Sequence, residues 1–125
     1  MSSVESQDAL YELLARAGEP RSLSAGEVVF EQGEEGDVMF VVVSGAVALR
    51  DGERTLDTVG APGIFGEMAL IESKPRSLTA IVEENAELVE IPARTFWVLV
   101  HETPYFARLV MRVMAARLRR TSAST

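Results

Sequence analysis

Two charged residues of the chain could do chemistry because of where they fall. Glu67 directly follows the apolar and glycine run Ile64-Phe65-Gly66, and Arg76 directly follows Pro75, so an acid and a base bracket a short apolar segment. Residues 68–71, beginning at Met68 and Ala69, can form one helical turn whose first amides, from about Gly66 onward, are unpaired and attract an anion. Gly66 lets that anion approach the backbone because it has no Cβ. Pro75 fixes the chain just ahead of Arg76, and a fixed guanidinium facing a helix start makes a two-sided clamp for a phosphate. Glu67 has the wrong charge for phosphate, but a carboxylate is a good acceptor for a sugar hydroxyl. Together the pair describes a ligand that carries a ribose hydroxyl beside a phosphodiester.

Such a clamp must be held by the elements around it. Leu10, Leu13, Leu14 and Ala17 recur at helical spacing over residues 8–17, with Ser6 as a cap and with Gly18 and Pro20 as stops, so residues 1–20 are expected to supply an N-terminal helix. Residues 21–92 change to short β-branched runs at 28–30, 38–43, 46–50, 55–59, 78–82 and 88–91, the texture of a β-roll or jelly roll. Ser44-Gly45 and Asp51-Gly52 are hairpin signals, and the stretch from Gly60 to Gly63, with Pro62, reads as a loop. Helical spacing returns after Pro92: Phe96, Trp97, Leu99 and Val100 make one short segment. Pro104 then starts a longer helix with Phe106, Leu109, Val110, Val113, Met114 and Leu118 on one face. The expected fold is mainly β with flanking helices, an antiparallel roll (residues 21–92, clamp at 65–80) between an N-terminal helix and a C-terminal helix pair (93–121).

The clamp residues Gly66-Glu67-Met68-Ala69-Leu70, followed by Pro75-Arg76-Ser77 and Thr79-Ala80, closely resemble the phosphate-binding cassette of cyclic nucleotide-binding domains, as in catabolite activators, regulatory subunits of cyclic AMP-dependent kinases and nucleotide-gated channels. Gly26-Glu27-Val28, Gly33, Gly36-Asp37, Ser44-Gly45 and the terminal helices extend the resemblance over nearly the whole chain, making residues 1–125 one such domain. It implies that Glu67 accepts from the ribose 2′-hydroxyl and Arg76 pairs with the cyclic phosphate. Amides near Gly66 and Ala69, and the amide and hydroxyl of Ser77, then complete the cradle. It also implies that the C-terminal helix closes over the base, with Arg117 at a base-contacting position and Thr121 and Ser122 where catabolite activators place adenine-contacting hydroxyls. Ser77 points to cyclic AMP, since relatives preferring cyclic GMP often have threonine there; cyclic GMP is the second choice. Leu78 departs from the pattern, standing where a small residue is usual, and no DNA-binding module is expected after the helix.

Composition narrows the function classes. Twelve Lys and Arg against 19 Asp and Glu give a net charge of -7, so direct nucleic-acid binding is not expected. With no cysteine, thiolate catalysis and cysteine zinc sites are excluded. The longest apolar stretch, residues 38–49, is broken by Ser44 and Gly45 and falls short of the roughly 20 residues a membrane span needs. The N-terminus MSSVESQDAL is acidic where a secretory leader would be basic and then apolar. A cytoplasmic location fits. His101, the sole histidine, reads as a cap or surface residue. Glu34, Glu35 and Asp37 read as a solvated turn, because their spacing does not match a calcium loop. No catalytic motif is present, so a sensor is expected, not an enzyme, with no cofactor beyond the nucleotide. Its partner is an unidentified effector, or a second copy paired through the stripe Phe106, Leu109, Val113 and Met114. The competing reading is a degenerate roll that serves as a protein-interaction module without nucleotide.

Overall fold

The computed structural model describes the backbone of residues 7–123 and the side chains through residue 120. Its elements in chain order are α1 (Gln7–Leu14), β1 (Glu19–Leu23), β2 (Val28–Phe30), β3 (Val38–Asp51), β4 (Arg54–Gly60), β5 (Gly63–Phe65), α2 (Glu67–Glu72), β6 (Thr79–Pro92), α3 (Ala93–Glu102) and α4 (Pro104–Ala123). Every strand pairing is antiparallel: β1, β6, β3 and β4 lie in that order, β2 adds to β6 and β5 adds to β3. The sheet is not a closed barrel, and helices flank it, as the alternating texture predicts.

The run Val38-Met39-Phe40-Val41-Val42 is apolar throughout because the sheet is covered on both faces there. Successive side chains of a strand point to opposite faces. Met39 and Val41 enter a cluster with Leu10, Leu14, Phe96 and Phe106 of the helices. Phe40 and Val42 enter a second cluster with Phe30, Val47, Phe65 and Leu88 inside the roll. The same alternation places Ile64 in the first cluster and Phe65 in the second, which fixes the register of the segment leading into α2.

Several boundaries differ from the sequence reading. The runs at 38–43 and 46–50 form one strand, β3, and those at 78–82 and 88–91 form one strand, β6. Ser44-Gly45 is therefore a bulge within β3, not a hairpin: the register against β6 shifts at Ser44 and Ala46, and Gly45 has φ +87°. Asp51-Gly52 does turn a hairpin, between β3 and β4. β1 contains Pro20, which an edge strand tolerates. β5 begins at Gly63, inside the expected loop, and three residues are too few to show a period. Helix α1 stops at Leu14, three residues early, and Ser6 lies outside the described residues.

In α4 the expected stripe is split. Phe106, Leu109 and Val110 are buried, and Val113 and Met114 pack partly on the same cluster, so the stripe expected to pair two copies is spent on the core. Leu118 is 69% exposed. The inward row of 106, 110 and 113 continues at 117, one helical step before Leu118, and residue 117 is an arginine.

Candidate functional site

Gly66 caps α2 in the left-handed conformation (φ 85°, ψ 1°), and a Cβ there would stand 3.0 Å from Arg76 Nη1 and 3.3 Å from the Phe40 ring. The residue is glycine because the chain must turn tightly against its own arginine. Glu67, the first residue of α2, is fully buried. Its Oε2 accepts from Arg117 Nη1 at 2.9 Å, while Oε1 has no hydrogen-bond partner among the described residues. Arg76 is anchored at its backbone by the acidic turn: Gly33 N donates to Arg76 O at 2.8 Å and Arg76 N donates to Glu34 O at 2.7 Å. That turn thus holds the arginine, and among the described residues no group of acids or histidine could hold a metal ion.

The Arg76 guanidinium lies 4.0 Å from the centre of the Phe30 ring, a cation-π contact, and donates from Nη1 to Gly66 O at 2.8 Å and from Nη2 to Val38 O at 2.7 Å. Its Nε has no partner among the described residues. Gly36 makes room for it, since a Cβ on Gly36 would fall 2.4 Å from Nε. Burial holds the Arg76 pKa below its ordinary value, against the charges of Asp37, Glu34 and Glu67.

Burial likewise pushes the Glu67 carboxyl above 4.5, outweighing the favourable charges of Arg117 and Arg76. The folded chain therefore holds this proton more tightly than the unfolded chain does. Its contribution to stability is fullest at low pH and is lost as pH rises from 4.5 through the folded pKa. In urea titrations the parent is expected to lose stability relative to Glu67→Gln across that window. A difference between the two proteins that stays flat with pH would contradict the burial effect.

Arg76, Gly66, Met68, Ala69 and Ser77 are brought together around a cavity of about 40 Å3, closed by Phe30, Leu49, Leu78 and Arg117. Leu78 is both a wall of this cavity and part of the roll cluster. Arg117 reaches the cassette across 50 residues of sequence: besides Glu67 it donates from Nε to Asp57 Oδ2 at 3.0 Å and from Nη2 to Ile64 O at 3.0 Å. Arg120 pairs with the other oxygen of the same aspartate. Thr121 and Ser122 belong to α4 by backbone, but their side chains lie outside the described residues. His101 is exposed in the last turn of α3.

Asp57, which pairs with both Arg117 and Arg120, is the residue of this network that the sequence reading did not single out. A signal for it exists: α4 carries five arginines and no acid, so its cations must find carboxylates on other elements.

Residues 20–103 match the family described as cyclic nucleotide-binding domain. The chain is 36% identical over 104 residues to a cyclic nucleotide-gated potassium channel of Rhizobium etli, covering 83% of this chain and 29% of the channel. It is 33% identical over 135 residues to the CRP-like cAMP-activated global transcriptional regulator of Mycobacterium tuberculosis, covering 89% of this chain and 59% of that protein. The structure superposes on the Thermus thermophilus catabolite activator protein with a TM-score of 0.79 at 27% identity, covering 98% of this chain and 60% of the activator. The chain thus spans less than two thirds of each of these proteins.

Proposed function

The chain belongs to the cyclic nucleotide-binding domain family, and from that premise we propose that it is a cytoplasmic sensor, with cyclic AMP the preferred ligand, whose occupancy is passed through α4 to a partner. One observation carries the reading. Among the described residues, Glu67 and Arg76 are the buried charged groups, and each keeps one polar atom without a hydrogen bond. Burying a charge is costly unless it is paired, and an unpaired buried atom calls for an absent partner. A ribose hydroxyl donates to Glu67 Oε1. A cyclic phosphate draws the Arg76 guanidinium from the neutral carbonyls of Gly66 and Val38 into a charge-assisted pair.

Ser77 after the arginine favours cyclic AMP, as does the M. tuberculosis relative described as cAMP-activated. The proposed role is regulatory, as in the M. tuberculosis relative described as a transcriptional regulator. The output surface is the outer side of α4, where Met111 is 63% and Leu118 is 69% exposed and can meet an effector or a second copy. With a net charge of -7, direct nucleic-acid binding is not part of the proposal. Among the described residues no helix is long and apolar enough to cross a membrane.

A second reading rests on Arg76 already donating to two carbonyls beside a cavity of only about 40 Å3. On that reading the roll is an interaction module without nucleotide. Titration calorimetry and thermal melts with cyclic AMP and cyclic GMP separate the two. The sensor gives binding heat and a rise in Tm, larger for cyclic AMP. No heat and no shift with either nucleotide at millimolar concentration leaves the interaction module standing.

A further inference from the structure

We infer that Asp57 positions α4 and sets the nucleotide affinity, by holding Arg117 and Arg120 in a clasp that must open before a ligand can occupy the cassette. This rests on the nucleotide-binding reading above. The cassette cavity measures about 40 Å3, whereas ligand sites commonly need about 300 Å3 or more. Its lining comes from β2, β3, α2 and the segment at residues 76–78, with a single contribution from α4, the side chain of Arg117. On the far side of that side chain a groove of about 380 Å3 runs between α1, the β4–β5 connection and α4. Arg117 lines both spaces and is the residue that the two linings share. Withdrawing it joins them into room of ligand size.

The contacts of Arg117 to Asp57, Glu67 and Ile64 are polar. The fully buried side chains of α4 end at Val110, and among the described residues beyond it none is buried. The first part of the helix is thus a pivot packed on Phe96 and the roll, and the part near residues 117–120 is fastened by polar contacts. Asp57 is central to those contacts: one carboxylate oxygen takes Arg117 Nε and the other takes Arg120, so a single acid on β4 holds two cations one helical turn apart. Glu67 Oε2 and Ile64 O accept from Arg117 Nη1 and Nη2. Arg120, 57% exposed, is the easily loosened fastening, whereas Asp57 and Arg117, 8% and 17% exposed, are held by an inner pair that must take up water when the clasp opens.

The two fastenings bear on nucleotide binding in opposite ways. Glu67 is wanted both by Arg117 and by the ligand's hydroxyl, whereas Asp57 holds the clasp and the amide of its neighbour Thr58 (N donating to Oδ1 at 3.0 Å) and is not among the residues lining the cassette cavity. Apparent affinity falls by the fraction of molecules whose clasp is closed, so weakening Asp57 alone should tighten binding. This sign is one that a loss of structural support would not produce.

The test uses the full chain, with cyclic AMP and cyclic GMP as probes. Asp57→Asn keeps shape and removes charge; it should lower the apparent Kd about fivefold and speed amide exchange at residues 112–120 without ligand. Arg120→Gln, at a side chain 57% exposed, should move both readouts the same way and less, and it serves if Asp57→Asn does not fold. Unchanged or weaker binding by these variants overturns the inference, the weaker result meaning that the closed clasp is a lid on the bound state. If no variant and not the parent binds either nucleotide, the sensor reading fails. Exchange then decides the clasp by itself: faster exchange at 112–120 in Asp57→Asn upholds it, and unchanged exchange overturns it.

Discussion

Replacing Arg76 by leucine is expected to cost about 3 kcal/mol of nucleotide binding, roughly a hundredfold in Kd, because a buried phosphate would lose its charged partner. Arg76→Leu also strips donors from Gly66 O and Val38 O, so the variant must be shown to be folded by circular dichroism before its binding is read. Arg76→Lys is the companion. It keeps the charge and loses the fork that spans both carbonyls, and its affinity should fall between parent and leucine variant. Glu67→Gln keeps an acceptor oxygen and should cost less than either. A folded Arg76→Leu protein that binds as well as the parent would show that the phosphate sits elsewhere.

A large effect on stability is expected at Gly45, where positive φ and a steric clash coincide. Alanine there adopts φ +87°, in the left-handed region, and its Cβ would stand 2.3 Å from Asn85 O and 2.7 Å from Ala86 Cα of the facing strand. Both penalties have the same sign. Left-handed strain costs about 1–2 kcal/mol and forced overpacking about 1–3 kcal/mol, so Gly45→Ala should destabilise by about 3 kcal/mol in urea unfolding. Gly52→Ala is the control, because φ is +61° there but a Cβ would meet nothing within 4 Å, so only the strain remains. Equal losses at the two positions would mean that β6 moves aside freely at the bulge.

The two glycines also mark where sequence reading succeeded and where it failed. Asp51-Gly52 and Ser44-Gly45 look alike as dipeptides, and one turns the chain while the other bulges a continuous strand. The difference lies in the partner: β6 runs past Ser44 with Glu87 opposite and keeps pairing on both sides, and that pairing is set by residues far away in the sequence. That Glu67 and Arg76 are unusual was legible because the message is local. A carboxylate after Gly66 and a guanidinium after Pro75 are out of place for their surroundings, and the structure buries both. Asp57 was illegible for the opposite reason. Nothing within β4 distinguishes it from a solvated acid, and its meaning comes from α4 docking 60 residues later. Leu118 was misassigned because helical spacing alone cannot tell the row that ends in Arg117 from its neighbour.

Trp97 is the chain's one tryptophan, 47% exposed, with its ring edge-on to Phe96 at 4.9 Å. It also borders a groove of about 350 Å3 whose other walls include Ser73, Lys74 and Pro75, the outgoing end of the cassette, together with Glu35 and Asp37. All indole emission from the chain therefore originates at the seam between α3 and the cassette. Half in water and half on protein, that ring changes colour and brightness when the seam opens or shuts. Excited near 295 nm, where adenine and guanine are nearly transparent, the molecule carries its own optical gauge of the cassette and needs no attached dye.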